Sequence, residues 1–124
     1  MVPCGPTTFT EVRVPKPWGH ETIWARTDRY VGKILHVRQG HALSLQYHRV
    51  KDETIRVVTG LLDFAYGPTD TGLTTVRLGP GDTFHVPPGL RHRMTALEDT
   101  DVVEVSTPEL DDVVRIEDRY GRTP

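Results

Sequence analysis

Four side chains could hold a metal ion between them. Gln46, His48 and Glu53 stand in one stretch, residues 40–60, and His92 stands in a second, residues 81–96. Side chains along a β-strand alternate between its two faces. In Leu43-Ser44-Leu45-Gln46-Tyr47-His48 one face carries Ser44, Gln46 and His48, and the other Leu43, Leu45 and Tyr47. Gln46 and His48 therefore offer lone pairs to one point. Glu53 follows a short polar segment, residues 49–52, that reads as a turn. The first stretch is thus expected to form a hairpin, with residues 54–59 as the return strand. Nitrogen and oxygen donors with one carboxylate suit a divalent ion of borderline hardness. In the second stretch Gly81-Asp82 signals a turn, residues 83–86 a short strand and Pro87-Pro88-Gly89 a rigid turn. That turn fixes where the next strand starts, and so fixes His92.

These residues carry a resemblance. Gly40, five residues, Gln46-Tyr47-His48, four residues, Glu53, six residues and Gly60 resemble the first cupin motif, with Gln in place of its first His. Gly81, five residues, Pro87-x-Gly89, two residues and His92 resemble the second, with Ala96 in place of its closing Asn. The run from Leu43 to His48 is similar to the LSLQ-x-H of phosphomannose isomerases. Pro17-Trp18-Gly19 and Val114-Arg-Ile-Glu-Asp-Arg-Tyr-Gly-Arg122 are similar to the opening and closing segments of the cupin domain in the bifunctional type II enzymes. The likeness spans residues 16–122, and the nucleotidyltransferase half of those enzymes is absent from the sequence.

The resemblance implies an all-β fold, a single cupin jelly-roll barrel (a double-stranded β-helix). Residues 1–15 would be a flexible N-terminal arm with a possible first strand, and residues 16–124 the barrel. It implies one divalent ion on Gln46, His48, Glu53 and His92, with zinc first and Mn, Co, Ni or Fe as other choices. It implies a sugar or sugar phosphate such as mannose 6-phosphate as substrate, with Ser44 against the phosphate. A divalent ion is a Lewis acid. In aldose–ketose isomerisation a base removes the proton beside a carbonyl, and a metal next to the ene-diolate oxygen stabilises its charge.

Three more residues bear on that chemistry. Lys33 shares a strand face with Val31, Leu35 and Val37. It is either a snorkelling stem at a strand end or a cation in the pocket that meets phosphate or acts as the base. Glu104 lies between valines. Its commoner reading is a solvent-facing residue, and its second is an acid/base group in the pocket, which the family pattern favours. Arg115, in the closing segment, is a candidate phosphate or intermediate contact. That charged segment is expected to dock on the barrel or on a second subunit. Trp18 reads as a packing anchor, His85 as packing or surface, and Arg56 as outward.

Composition bounds the rest. A chain of 124 residues is expected to form one domain with one core. Eleven Gly and ten Pro punctuate many short segments, which favours strands over helices. Formal net charge is −2, so no basic field draws nucleic acid or an anionic membrane. Cys4 is the lone cysteine, so no internal disulfide forms and the thiol reads as incidental. The N-terminus lacks a signal-peptide pattern and no apolar run is long enough to span a bilayer, so a cytoplasmic location is expected. A homodimer, pairing through sheet edges, is expected as well.

Two other classes stand beside the isomerase or epimerase. One is another metal cupin enzyme, an iron or nickel dioxygenase or a lyase, although Gln46 departs from the three-His, one-Glu oxygenase set. The other is a non-catalytic small-molecule-binding cupin. Ile55 in place of the type II Trp, Arg49-Val-Lys-Asp52 in place of a His-rich run, and Ala96 leave the ligands in place but change their surroundings.

Overall fold

Short runs of Val, Ile, Thr and aromatic residues, cut by Gly and Pro, favour strands that bury one face. The computed structural model describes residues 6–122. Cys4 and residues 1–5 of the expected arm lie outside the described residues. The strands begin with β1 (Val12–Lys16), β2 (Gly19–Arg26), β3 (Val31–Val37), β4 (Leu45–Tyr47), β5 (Glu53–Thr59) and β6 (Leu62–Gly67). They continue with β7 (Thr74–Leu78), β8 (Thr83–Val86), β9 (Arg91–Ala96), β10 (Thr100–Ser106) and β11 (Val114–Glu117). Among the described residues there is no helix, and so none long and apolar enough to cross a membrane.

Two antiparallel sheets form, one in the order β1-β2-β3-β10-β5-β8 and the other β11-β4-β9-β6-β7. They share one core. Phe64 of β6 packs its ring 4.5 Å from Phe84 of β8 across the sheets. Ile55, Val57, Leu62, Phe64, Val86 and Val102 are fully buried around it. Truncating Phe64 to Ala should cost about 3–5 kcal/mol. The expected barrel of all-β type is what forms.

The inward rows change character along the strands. On β3 Val37 and Leu35 give way to Lys33, and on β10 Val102 gives way to Glu104. On β5 Val57 and Ile55 give way to Glu53, and on β9 Ala96 and Met94 give way to His92. Because side chains repeat every second residue, one part of the barrel fills with hydrocarbon and another with polar groups. Glu104 faces Lys33 across the β10–β3 pair, which aligns the polar ends.

The hairpin expected at residues 40–60 does not form. β4 pairs with β9 and β11, while β5 pairs with β10 and β8 in the other sheet. The connection crosses between sheets because its backbone is held elsewhere. The amides of Arg49, Val50 and Lys51 donate to the Asp112 carboxylate at 3.0, 2.7 and 2.8 Å. Asp52 and Thr107 exchange two further bonds of 3.0 Å. The expected strand at residues 43–48 shortens to Leu45–Tyr47, with one bridge from Ala42 to Thr95. The first strand lies at Val12–Lys16 and pairs with β2 of its own chain. Gly60 makes the other crossing, from β5 to β6. Its φ is +97°, and a Cβ there would overlap Thr100 and the Asp99 carbonyl, so only glycine fits.

Candidate functional site

Three of the four candidate ligands marked in the sequence, His48, Glu53 and His92, converge from both sheets. Gln46 of β4 is the direct cross-strand partner of His92 on β9. His48 lies just past the end of β4, and Glu53 opens β5 on the facing sheet. Ligand atoms of His48, Glu53 and His92 all lie within 4.8 Å of one another, and all three residues are buried. Gln46 lines the same cavity.

Both imidazoles are oriented by the main chain. His48 Nδ1 donates to the Asp112 carbonyl, and His92 Nδ1 donates to the Leu90 carbonyl at 2.9 Å. A carbonyl only accepts, so the hydrogen sits on Nδ1 in each ring, and each Nε2 is free to act as a ligand. Burial pushes His92 below its ordinary pKa, which keeps it neutral. Burial alone would raise the Glu53 carboxyl, but the positive charge around it, the Lys51 ammonium at 3.2 Å included, holds it low.

One oxygen of Glu53 tests the fit of a cation. Oε1 is buried, 3.0 Å from His48 Nε2 and 3.2 Å from Lys51 Nζ, yet it makes no directed hydrogen bond. A lone pair on Nε2 facing a carboxylate oxygen at that distance is repulsive unless a proton or cation lies between them. Two imidazole nitrogens, a carboxylate and an amide oxygen are a donor set that fits a divalent ion of borderline hardness.

Beside the ligands lies a buried ion pair that sequence reasoning missed. Lys51 Nζ is 3.0 Å from Glu104 Oε2, and both side chains are about 6% exposed. Burial alone would lower the Lys51 pKa, but Glu104 and Glu53 outweigh it and raise it. Burial and the charge of Glu53 push the Glu104 carboxyl up. Glu104 is buried and lines the cavity, which overturns its commoner reading as a solvent-facing residue. Val102 shares its inward face, while Val105 is 50% exposed on the other.

The cavity between the sheets holds about 300 Å³, the lower end of the range for small-molecule sites. Lys16, Lys33, Lys51, Arg115 and Arg122 line it, against Glu21, Glu53, Glu104 and Asp111. Lys33 faces the cavity and is buried, with its ammonium 3.4 Å from both oxygens of Glu21. Ser44 is buried in the wall, and Arg115 is paired across β11–β4 with Gln46. Lys16, Glu21, Arg122 and the positioning residue Asp112 were not marked by sequence. The one signal in the sequence was for Lys51, since a glutamate buried among valines needs a cation as partner.

The remaining expectations fall in place. Trp18 is buried in the core, Arg56 is exposed, and His85 is a surface residue bonded to Asp52. The closing segment docks on the barrel of its own chain. Tyr120 hydrogen-bonds His41 at 2.7 Å, and Arg119 donates to the Gly40 carbonyl at 3.0 Å.

Comparison with known proteins agrees with this geometry. The Cupin domain family matches residues 33–107. The chain is 34% identical to the mannose-1-phosphate guanylyltransferase ManC of Salmonella typhimurium over 88% of its own length and 23% of the relative's. It thus spans about a quarter of the length of that relative. Over 48% of its length, and 34% of the relative's, it is 42% identical to an acireductone dioxygenase of Bacillus pumilus. The solved structure of KdgF from Halomonas sp. superposes with a TM-score of 0.70 at 25% identity, covering 83% of this chain and 89% of that one. The family match covers well over half of the residues, and the two facing sheets around a His/Glu/His cluster agree with it: the chain belongs to the cupin domain family.

Proposed function

We propose that the chain is a metal-dependent isomerase or epimerase acting on a sugar or sugar phosphate. The observation that carries the reading is the His48, Glu53 and His92 cluster, in which a buried Glu53 oxygen makes no directed hydrogen bond and both imidazoles are oriented by main-chain carbonyls, next to a buried Lys51–Glu104 ion pair. Gln46, His48, Glu53 and His92 would hold the ion, which supplies a Lewis acid beside a substrate oxygen.

The chain's own groups do the rest. Glu104 takes the proton next to the substrate carbonyl and returns it to the neighbouring carbon. Its raised pKa suits a group that must hold a proton for part of the cycle. Lys51 keeps its proton and stabilises the ionised form of Glu104. Lys33 is the weaker candidate for the base, because its ammonium is held by Glu21. Removing the proton leaves one negative charge on the former carbonyl oxygen, and the proton of the neighbouring hydroxyl passes to that oxygen as the carbon that bears it is reprotonated. The cavity's excess of cations favours that charge. Ser44 and Arg115 contact the substrate. The similarity to a protein named for mannose 1-phosphate supports a sugar ligand.

The test is proton NMR of an aldose phosphate, mannose 6-phosphate first, with metal-loaded protein in deuterated water. Deuterium uptake beside the carbonyl and ketose formation are expected, and Glu104→Gln should lose both while keeping its metal. No uptake with any aldose or aldose phosphate overturns the reading. The likeness to a dioxygenase gives a second reading, which an oxygen electrode would detect as substrate-dependent oxygen uptake.

A further inference from the structure

We propose that the outward face of the six-stranded sheet is an interface between two copies of this chain, paired about a two-fold axis that runs along the strands between β3 and β10. That face lies across the sheet from the cavity, whose wall is built from inward residues such as Lys33 and Glu104. The pairing does not depend on the catalytic reading.

The two outward faces of the barrel differ in chemistry. An antiparallel sheet with one face on the core and the other in water turns polar residues outward. The second sheet follows this rule. Asp63, Thr75, Arg77, Arg93 and Thr95 of β6, β7 and β9 point outward, and Arg77 pairs with Asp63 and Arg93 with Glu117, each at 3.3 Å. The six-stranded sheet departs from it. Trp24, Ile34 and Val105 point away from the core and are 45%, 38% and 50% exposed, with Val103 beside Ile34. Trp24 stands at a bulge of β2, where the register shifts between Ile23 and Ala25. Its indole lies over Gly32, where a Cβ would come 2.7 Å from the ring. A contiguous apolar patch of this kind marks an interaction surface.

The register points to a second copy as the cover. In the middle pair of strands His36 lies beside Asp101, Ile34 beside Val103 and Gly32 beside Val105. A two-fold axis between these strands exchanges β3 with β10. It sets Ile34 of one copy on Val103 of the other, Val105 over Gly32 and His36 on Asp101, its carboxylate partner at 2.7 Å within one copy. Arg56 of β5, level with Val103, meets Thr22 of β2, level with Ile34, and no second cation. Apolar groups meet apolar groups and imidazole meets carboxylate, so the face is its own complement, as a two-fold interface requires. An axis across the strands would instead press Trp24 and Val105 against His36 and Asp101. Stacked on the axis along the strands, the two sheets lie aligned and about 10 Å apart, as paired sheets pack.

The same axis gives Trp24 a socket. Trp24 stands at the level of Gly32, and the exchange carries it to Thr54 on β5, level with Val105. There a second cavity of about 320 Å³ opens, with Tyr30, Thr54, His85 and Val105 in its wall. A tryptophan seated in a cleft is the kind of anchor that carries most of the energy of an interface.

The test is sedimentation velocity of the full chain over a range of concentrations. The parent should run at twice the 14.0 kDa of one chain. Trp24→Glu and Val105→Lys should each weaken the pair about thirtyfold or more, with the circular dichroism spectrum unchanged. If Trp24→Glu disturbs the bulge, Val105→Lys still decides. Thr75→Lys, on the outward face of the other sheet, should leave the pair intact. Asp101→Arg should weaken it, and adding His36→Asp should restore it, because the axis sets these two residues on each other. A pair that survives both Trp24→Glu and Val105→Lys joins elsewhere, as through strand edges, and overturns the face. A rescue that fails overturns the axis. A parent that stays monomeric at the highest concentration overturns the second copy as the occupant.

Discussion

Asp112 holds His48 and the loop beside it at the same time. Its carbonyl accepts the Nδ1 hydrogen of His48, and its carboxylate accepts the amides of Arg49, Val50 and Lys51. One residue outside the sheets therefore orients a candidate ligand and shapes the crossing that carries Lys51 and Glu53 to the facing sheet. Asp112→Ala keeps the carbonyl but frees the loop. Metal affinity should fall about tenfold, as for other groups that orient ligands. Competition with a metal chelator measures it, and an unchanged affinity would show that the loop holds itself.

The same carboxylate sets a pH dependence. Burial alone would raise the Asp112 pKa, but the three amides outweigh it and hold it at about 2, below its ordinary 3.8. A depressed folded-state pKa adds stability that is present above the ordinary value and lost as pH falls toward 2. Asp112 is partly in water, so the contribution is that of a side-chain cap, about 1 kcal/mol. At neutral pH Asp112→Ala should melt about 3–5 °C below the parent protein. That gap should close as pH falls below 3.8. A gap that stays constant into acid would assign the loss to something other than the charge.

Elemental analysis tests the ligand set directly. Protein purified without added metal should carry about one divalent ion per chain, and Gln46→Ala and His92→Ala should lose it. Chelation should lower the melting temperature of the parent and leave both variants unmoved. An ion that survives both substitutions would lie elsewhere.

The His48, Glu53 and His92 cluster was legible because its residues stand in two short motifs whose spacing resembles the cupin pattern, and because a rigid turn precedes His92. Partnership across the sheets was not legible. The polar run after His48 reads as a hairpin turn, and nothing nearby shows that Asp112, some sixty residues on, pulls it between sheets. Alternation told which residues share a face with Glu104, but not which face is inward, because valines flank it on both. Lys51 was hidden in the same way. It looks like a solvated loop residue until Glu53 and Glu104 arrive from two different strands.

The tail offers a check on docking. Tyr120 packs against the core and bonds His41. Tyr120→Phe keeps the packing and removes the bond, so stability should fall by only about 1 kcal/mol. Limited proteolysis should cleave the tail faster in the variant. An unchanged cleavage rate would show that packing alone holds the tail in place.

The Lys51–Glu104 pair makes the sharpest prediction. Both groups are buried, so each is tolerated because the other is charged. In the metal-free protein Lys51→Met leaves Glu104 and Glu53 facing each other without a cation and should cost about 3–5 kcal/mol. Glu104→Gln removes one charge but leaves Lys51 its contact with Glu53 at 3.2 Å, so it should cost less. In the double variant the uncompensated charge is reduced to Glu53 alone. Its loss should fall short of the sum of the single losses by about 1–3 kcal/mol, since the residues touch. Urea unfolding of the four proteins gives that coupling. Strict additivity would mean that Lys51 answers to Glu53 alone, and the proton-carrying role of Glu104 would then lose the cation that supports it.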